Sequence, residues 1–375
     1  MILKLHRMKA QGETEMYDSV KPRILIMAGG TGGHVFPGLA VALQLREFGV
    51  AVSWLGTKNG IESEIIPTHD IPIELLNIEG IRGRGLAALI KAPFLLSQSI
   101  RQAMKIIDEI KPAAVLGMGG FGSGPGALAA WLRDIPIIIH EQNAIAGTTN
   151  RIISYFAKSI LEGFPGTIKG AYWSGNPVRK EISGIKAPNF RLEGRSGAVN
   201  LLVLGGSRGA KTINELVPKA LALMPENNRP KVIHQAGEQH AGLTRAVYAA
   251  LNVECNVIPF IHSMNEAYEW ADFVICRAGA LTVAELSNVG LAAIFIPFPF
   301  AIDDHQTANA KWIESMKGAV VCQQSDLSQD KLRDLIKEFV ESSDKRLSMA
   351  LAARSAARTR ATEEICKVCL GYLNV

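Results

Sequence analysis

Short apolar runs alternate along this chain with longer stretches in which apolar residues recur every three or four positions. The first run, 23–28, is followed by a helical pattern over 35–48. A β-favouring run followed by a helix-spaced pattern predicts a βαβ unit and a parallel sheet. The strands predicted in the first half are 23–28, 51–55, 113–116 and 135–139, and the helices are 35–48, 60–68, 124–132 and 146–157.

The alternation stops at GNPVR (175–179) and begins again at 199–204. The polar stretch 183–197 contains glycine and proline and is predicted to be a linker. The later strands are predicted at 231–235, 255–259, 272–276 and 292–296, with helices at 210–223 and 345–372. We therefore expect two Rossmann-like α/β domains that face each other across a cleft. Their predicted bounds are 21–178 and 179–345, with a loose tail over 1–20 and a C-terminal helix, 346–375, that crosses back to the N-terminal domain.

In each half of the chain, a glycine-rich turn follows the first predicted strand. The first is GGTGG (29–33) and the second is GGSRG (205–209). A turn of this kind presents backbone N–H groups at a helix N-terminus, which is a common binding site for phosphate. Ligands of open parallel sheets lie beyond the carboxyl ends of the strands, where both turns are expected.

A third glycine turn, 117–122, spells GxGxxG after a predicted strand, and Glu141 follows at about the spacing of a ribose-binding acid. This pattern alone would indicate a dinucleotide cofactor. However, the turn is not in the first βαβ unit, the first turn lacks the third glycine, and the strand 51–55 leads into Gly-Thr-Lys with no acid. We expect instead a second phosphate- or sugar-facing turn.

Composition and charge narrow the possible partners. The chain has 375 residues, 48% of them hydrophobic and 20% charged, with a net charge of +5. This mild excess suits a polyanion or an anionic membrane surface, but no basic and aromatic array supports nucleic-acid binding. Residues 1–20 have no apolar segment typical of a signal peptide, and the longest apolar run, 291–302, is about half a bilayer span. Three of the five cysteines are scattered, which favours a reducing compartment over a disulfide framework. The other two form a CxxC, 366–369, with no second pair, so a metal or redox site is not expected there.

Seven ordered segments together resemble the MurG family. The resemblance implies transfer of N-acetylglucosamine from UDP-GlcNAc to undecaprenyl-pyrophosphoryl-MurNAc-pentapeptide in peptidoglycan synthesis. It also implies a two-Rossmann, GT-B type fold, an inverting mechanism that needs no bound metal or other cofactor, and peripheral attachment to the cytoplasmic face of the cell membrane. The segments are GGTGGHVFPGLAVA (29–42), LGMGGFGSGPGALAAW (116–131), HEQNAIAGTTNR (140–151), GNPVR (175–179), LGGSRGAKTIN (204–214), CRAGALTVAEL (276–286) and DDHQTANA (303–310).

Inversion at the sugar C1 requires a base for the acceptor hydroxyl and a stabiliser for the diphosphate charge. His34 is the candidate base, because the positive end of a helix favours the neutral imidazole that a base requires. Glu141 is the rival base, and a structural role is the alternative for a single histidine. The groups expected to stabilise the diphosphate are Thr31, Gly32, Gly33 and Ser207, although simple helix capping would also explain the two hydroxyl residues.

The family resemblance adds further ligands by motif position. Glu285 is expected on the ribose hydroxyls, whereas the spelling TVAE (282–285) would also suit a capping box. The remaining ligands implied are Asn143 for a sugar hydroxyl, Ile261 for a backbone contact to uracil, Ala280, Leu281, Thr282, Val283 and Ala284 along the nucleotide sugar, and Arg179 and Gln306. The acids Asp303 and Asp304 are expected in a solvated loop and not at a metal.

An apolar helical stripe over 86–107, broken at Pro93, has the cations Arg82, Arg84, Lys91 and Arg101 nearby. Such a stripe is usually core. Since the implied acceptor is a lipid, we also consider that exposed Leu or Phe side chains in 86–95 bind anionic membranes. Two other functions stay open at this point: a UDP-GlcNAc 2-epimerase-like isomerase on the same fold, and a membrane-associated nucleotide-binding scaffold without activity.

Overall fold

The computed structural model describes residues 21–78, 86–206 and 210–373, with side chains throughout except at 86–92 and 302. Residues 1–20, predicted to be a loose tail, lie outside these ranges. The chain divides into two compact units. The first comprises Met1–His140, Thr149–Ile160 and Glu363–Val375, and the second comprises Glu141–Thr148 and Leu161–Thr362.

The first sheet has seven strands in the order β3-β2-β1-β4-β5-β6-β7. Residues 24–28, in the third strand of this order, are fully buried, as expected of a parallel strand covered on both faces. Ile24 pairs with Val52 on one side and with Ala114 on the other. The strands are β1 (Arg23–Ala28), β2 (Ala51–Thr57), β3 (Ile73–Leu76), β4 (Ala114–Gly119), β5 (Ile137–Glu141), β6 (Ser159–Glu162) and β7 (Tyr172–Trp173).

The second sheet has six strands in the order β10-β9-β8-β11-β12-β13. All of its pairings are parallel, and apolar clusters lie on both of its faces. The carboxyl ends of these strands therefore open into one set of loops. The strands are β8 (Asn200–Leu204), β9 (Lys231–Gln235), β10 (Asn256–Ile258), β11 (Phe273–Cys276), β12 (Ala292–Phe295) and β13 (Ala319–Val321).

Helices connect the strands, as the parallel order requires. The helices are α1 (Gly32–Glu47), α2 (Glu62–Ile65), α3 (Leu86–Ile110), α4 (Ser123–Trp131), α5 (Thr148–Ile153), α6 (Lys180–Ser183), α7 (Pro188–Arg191), α8 (Lys211–Ala222), α9 (Ala241–Ala250), α10 (Met264–Trp270), α11 (Ala280–Val289), α12 (His305–Ser315), α13 (Gln329–Glu341), α14 (Ser343–Ala356) and α15 (Ala361–Leu370). In the described part of the chain, no helix is both long enough and apolar enough to cross a bilayer.

The predicted parallel α/β architecture is confirmed, with three local corrections. Helix α3 continues through Pro93, where a break was predicted. Pro93 is exposed, so water can satisfy the carbonyl that loses its helical partner. The tail predicted as one helix over 345–372 is two helices, because the chain is extended at Ala357.

The third correction concerns 183–197, which was predicted to be a linker. The stretch contains α7, and its arginines fasten it to the second unit. Arg191 donates to the carbonyls of Ala271 (2.9 Å) and Gly290 (2.7 Å), and Arg195 pairs with Asp272 at 2.8 Å. The polar composition that suggested a free linker therefore reflects side chains that bond to backbone carbonyls.

Candidate active site

The first glycine turn leads from β1 into α1. Thr31 is the N-cap residue, with φ −122° and ψ 159°, and its carbonyl accepts the N–H groups of His34 (3.1 Å) and Val35 (3.2 Å). Its side chain makes no capping hydrogen bond. Capping therefore does not explain the hydroxyl, and Gly32 and Gly33 place the first N–H groups of the helix beside it.

His34 is half-buried in the first turn of α1 and lies against the third glycine turn. A Cβ atom added at Gly119 would be 3.0 Å from both Nδ1 and Cε1 of the imidazole, and Gly119 has a φ of +100°. A Cβ atom at Gly120 would overlap the carbonyl oxygen of Gly29. Gly119, a glycine of the GxGxxG pattern, and the adjacent Gly120 are thus required by close packing against His34 and against the Gly29 backbone, with no dinucleotide needed to explain them.

Glu141 ends β5 and is 1% exposed. One carboxylate oxygen accepts the backbone N–H of Asn143 at 3.0 Å, and the other accepts the N–H of Gly147 at 3.1 Å. The Asn143 side chain is held in turn by Asn309, whose Nδ2 donates to Asn143 Oδ1 at 3.2 Å. In this structure the Glu141 carboxylate organises the loop that carries Asn143.

Arg179 and Glu285 lie side by side, although they come from two separate sequence motifs. Arg179 Nη2 donates to Glu285 Oε1 at 3.0 Å, and the Tyr268 hydroxyl donates to Glu285 Oε2 at 2.9 Å. Burial raises the pKa of Glu285, and Arg179 and Tyr268 oppose that shift. Burial, with a smaller effect of the neighbouring Glu285, also raises the pKa of Tyr268 well above 10, so the phenol remains a donor.

The capping-box interpretation of 282–285 is wrong. Helix α11 begins at Ala280 with Gly279 as its N-cap, so Thr282 is already the third helical residue. Its hydroxyl cannot cap that helix, and the Glu285 carboxylate is bound elsewhere. Within this segment Leu281, Thr282 and Ala284 are half-buried, whereas Ala280 (6% exposed) and Val283 (1%) are buried.

Ile261 and Gln306 lie beyond the carboxyl ends of the strands of the second sheet. Ile261 is buried (7% exposed) in the loop after β10. Gln306 is the second residue of α12, and its Oε1 accepts the N–H of Phe298 at 3.0 Å. Arg277 supports the same loop by donating to the carbonyls of Ile296 and Pro297, both at 3.0 Å.

Ser207 lies outside the described residues, which include Gly205 and Gly206 before it and Ala210 after the turn. Gly205 N donates to the carbonyl of Gln235 at 2.8 Å, and Gly206 has a φ of +75°. Asn214 lies behind this turn. Its Nδ2 donates to the Ala236 carbonyl at 3.0 Å, and its Oδ1 is 3.0 Å from Nε2 of the buried His234.

Asp303 and Asp304 are exposed and have left-handed φ values of 53° and 50°. Nowhere in the described ranges do three His, Cys, Asp or Glu side chains form a cluster that could hold a metal. The CxxC cysteines, Cys366 and Cys369, are free and fully buried. Burial raises the pKa of the Cys366 thiol to about 12, which leaves it inert as a nucleophile.

Three side chains of this region were not singled out from the sequence. Asn309 and Arg277 both lie inside recognised motif blocks, so the motifs themselves carried the signal. Tyr268, which completes the environment of Glu285, stands in a helical segment with no distinguishing pattern, and only its contacts identify it.

Family models match both halves of the chain. The glycosyltransferase family 28 N-terminal domain matches residues 24–162, and the family 28 C-terminal domain matches 200–365. A transferase of Marinobacter nauticus is 48% identical over 362 residues, covering 96% of this chain and all of the relative. A transferase of Nitrosococcus oceani is 48% identical over 351 residues, covering 93% of this chain and 98% of the relative. Both relatives are named UDP-N-acetylglucosamine--N-acetylmuramyl-(pentapeptide) pyrophosphoryl-undecaprenol N-acetylglucosamine transferase.

The crystal structure of Acinetobacter baumannii MurG superposes with a TM-score of 0.81 at 41% identity, covering 93% of this chain and 99% of that one. The chain belongs to the MurG family. More distant structures share the MurG fold alone. The calicheamicin glycosyltransferase CalG4, for example, has a TM-score of 0.65 at 16% identity over 94% of this chain and 99% of that chain. The expected GT-B type architecture is thereby confirmed.

Proposed function

We propose that this chain transfers N-acetylglucosamine from UDP-GlcNAc to undecaprenyl-pyrophosphoryl-MurNAc-pentapeptide, with inversion at C1. The observation that carries this conclusion is the 48% identity over 362 residues with a transferase named for this reaction, across 96% of this chain. In the reaction, an acceptor hydroxyl oxygen attacks C1 while its proton passes to a base. The bond from C1 to the diphosphate oxygen breaks, and UDP departs with the electron pair.

We assign the base to His34. The imidazole sits in the first turn of α1 against Gly119, so its position is fixed by close packing. A nitrogen of this imidazole can accept the proton of an acceptor hydroxyl. Thr31, Gly32 and Gly33 supply the neighbouring hydroxyl and N–H groups, which can donate hydrogen bonds to substrate oxygens.

Glu141 is the other candidate base, and its contacts favour a supporting role. Both carboxylate oxygens accept backbone N–H groups of the 143–147 loop, and the residue is 1% exposed. A base must reach the acceptor hydroxyl, whereas these bonds fix Asn143, the candidate ligand of a sugar hydroxyl. We therefore assign Glu141 to the positioning of Asn143.

The nucleotide sugar is assigned to the second unit. Arg179 carries a positive charge on a side chain that is 38% exposed, and it contacts the buried Glu285. The pair suits a ligand that combines negative phosphate with ribose hydroxyls, since guanidinium binds phosphate oxygens and carboxylate accepts hydroxyl hydrogens. Ser207, Ile261, Gln306 and the segment 280–284 are the other proposed contacts.

Release of UDP tests the proposed reaction. The protein is incubated with UDP-GlcNAc, with and without the lipid-linked MurNAc acceptor, and we expect UDP only when the acceptor is present. A 2-epimerase-like isomerase would convert UDP-GlcNAc without acceptor, and a scaffold would bind UDP with no turnover. Either of these two results would reject the transferase.

We further propose that the N-terminal end of α3 binds the cytoplasmic face of the cell membrane. Phe94, Leu95 and Leu96 are 71%, 44% and 41% exposed, whereas Ala103 (0%) and Ile107 (1%) of the same helix are buried. One helix thus has a core segment and an exposed apolar segment. Three adjacent exposed apolar side chains suit the boundary between headgroups and acyl chains. Arg82 and Arg84, and the side chains of 86–92, lie outside the described residues.

Vesicle binding tests this surface. We expect Phe94→Ser together with Leu95→Ser to weaken binding to vesicles that contain anionic lipid by about tenfold, since two buried side chains are lost from the bilayer. Phe48→Ser is the matched control, because Phe48 is 53% exposed elsewhere in the first unit. Equal binding by the double variant and the wild type would refute the proposal.

A further inference from the structure

Glu62 is a buried carboxylate directly behind the first glycine turn. The residue is 0% exposed and begins the short helix α2. Oε2 accepts the backbone N–H of Gly30 at 2.9 Å, and Oε1 accepts the N–H (2.7 Å) and the hydroxyl (2.8 Å) of Thr57. Both oxygens act as acceptors, which is the pattern of an ionised carboxylate.

Three glycines make room for this side chain. A Cβ atom at Gly29 would lie 2.5 Å from Glu62 Oε1, and one at Gly56 would lie 2.5 Å from Glu62 Cγ. A Cβ atom at Gly60 would overlap both carboxylate oxygens. The turn after β1 and the end of β2 are therefore shaped around the glutamate, which connects them through its hydrogen bonds to Gly30 and Thr57.

The bond to Gly30 fixes the turn at its most unusual residue. Gly30 has a φ of +93°, and the next residue, Thr31, is the N-cap of α1. A left-handed glycine can rotate at little cost, so its peptide needs an external partner to hold one orientation. The Glu62 carboxylate is that partner, and His34 follows four residues later in the first turn of the helix.

We propose that Glu62 is a positioning residue for transfer: its carboxylate orients the Gly30 peptide and thereby the start of α1 that carries His34. This inference rests on the proposed role of His34 as the base. Glu62 is fully buried and touches no reacting atom. Its effect is expected in kcat, because the geometry of a base acts on the chemical step, whereas UDP-GlcNAc is assigned to the second unit.

Glu62→Gln is the primary test. The N–H groups of Gly30 and Thr57 bond to different oxygens of Glu62, and an amide places an NH2 donor where one of those oxygens stood, so one N–H group loses its partner. We expect kcat for the folded variant to fall about 10- to 100-fold, with KM for UDP-GlcNAc within about twofold of wild type. Thr57→Val removes only the hydroxyl bond and leaves both N–H groups paired, so its kcat should stay within about twofold.

Asp272→Asn is the matched control for loss of a buried carboxylate. Asp272 is 7% exposed and accepts the Asn200 N–H at 2.8 Å, at the amino ends of the strands and away from the glycine turns. This variant should lower Tm without lowering kcat. If Glu62→Gln behaves like it, with reduced Tm and wild-type kcat, Glu62 is only structural and the inference is overturned.

His34→Ala is measured in the same series to separate the two levels of the proposal. Loss of activity in His34→Ala with unchanged kcat in Glu62→Gln rejects the positioning role alone. Retained kcat in His34→Ala rejects the base assignment, and the positioning role with it. Should Glu62→Gln not fold, Glu62→Asp, which keeps both acceptor oxygens on a shorter stem, replaces it. A fall in kcat at constant KM supports the role, and wild-type kcat overturns it.

Discussion

The glycine turns after β1 and β8 have the same sequence pattern but different groups behind them. A carboxylate, Glu62, supports the first turn through the N–H of Gly30 at 2.9 Å. At the second turn, the Asn214 carboxamide and the His234 imidazole lie behind Gly205. Asn214 Oδ1 and His234 Nε2 are hydrogen-bonded at 3.0 Å. Burial lowers the pKa of His234 to about 3, so this second support is neutral at pH 7.

The two turns therefore share a sequence pattern but differ in the charge of the groups that support them. A fixed negative charge behind the first turn offsets the attraction of its N–H groups for an anion. The second turn has neutral supports, so its helix N-terminus keeps that attraction. The contrast favours the proposed division of labour, in which the second unit binds the diphosphate of UDP and the first turn positions His34.

The largest expected effect is on the chemistry assigned to the first turn. We expect His34→Ala to reduce kcat by about 10²- to 10⁴-fold, the usual contribution of a general base, with KM for UDP-GlcNAc nearly unchanged. His69→Ala, at a histidine of the same unit outside the glycine turns, is the control and should retain wild-type kcat. A fall of only a few-fold in His34→Ala would remove the contrast between the two turns.

The first glycine of each turn has a different kind of neighbour, backbone at Gly205 and side chain at Gly29. At Gly205 a Cβ atom would meet the backbone oxygen of Gln235 at 2.9 Å, whereas at Gly29 the nearest atom belongs to the Glu62 side chain. We expect Gly205→Ala to lower the free energy of unfolding by about 1–3 kcal/mol, because backbone cannot move aside.

A double-mutant cycle distinguishes the two cases. Shortening the acid in Gly29→Ala with Glu62→Asp should recover part of the stability lost by Gly29→Ala, giving a favourable coupling. Gly205→Ala with Asn214→Ala should be close to additive, because two of the three nearest atoms at Gly205 are backbone. Equal coupling in both pairs would show that the two turns are packed alike.

Because burial disfavours protonation of His234 behind the second turn, the free energy of unfolding should depend on pH. The folded pKa of His234 is about 3 and its ordinary value is 6.5. As pH falls, His234 is therefore protonated in the unfolded chain before it is protonated in the folded protein. Its contribution to the free energy of unfolding is fully present above pH 6.5 and is lost as pH falls towards 3. Between pH 7.5 and pH 5 this histidine should cost about 2 kcal/mol of unfolding free energy. His234→Gln cannot titrate, and its unfolding free energy should vary less over that range. Parallel pH curves for the two proteins would contradict this assignment.

The smallest expected effect concerns binding of the donor. Glu285→Ala should weaken UDP binding by about tenfold, or about 1.4 kcal/mol, through loss of the proposed ribose contact and of the bond that orients Arg179. Calorimetric titration with UDP measures this change. Glu226→Ala, at an exposed acid of the same unit, is the control and should bind UDP as the wild type does. Unchanged affinity in Glu285→Ala would remove the ribose assignment.

The sequence predicted the parts of the fold that have strong local patterns. Strand β1 was predicted to the residue, because a continuous apolar run bounded by a glycine turn has few alternatives. Strands β3, β6, β7 and β13 were not predicted. β7 has two residues and β3 only four, of which Glu74 is exposed, so neither shows a clear period. Short strands at the edges of a sheet depend on their neighbours more than on their own residues.

The candidate site was predictable where a motif names its residues, and less so where a contact depends on the tertiary fold. The proximity of Arg179 and Glu285 joins motifs 106 residues apart. By contrast, Glu62 gave no signal, because an acid in a short polar helix normally faces solvent. Only its burial among Gly29, Gly56 and Gly60 identifies it, and that depends on how two loops meet.

The placement of the final helix has a consequence for synthesis of the protein. Helix α15 belongs to the first unit from Glu363 onward, and the Cys366 thiol is fully buried there and donates to the Val41 carbonyl at 3.8 Å. Tyr372 likewise bonds Ser159 at 2.8 Å. A ribosome makes these residues after the whole of the second unit. The unit whose translation begins first is therefore completed only after the second unit has been made, and the nascent chain must keep a place for α15 open until then.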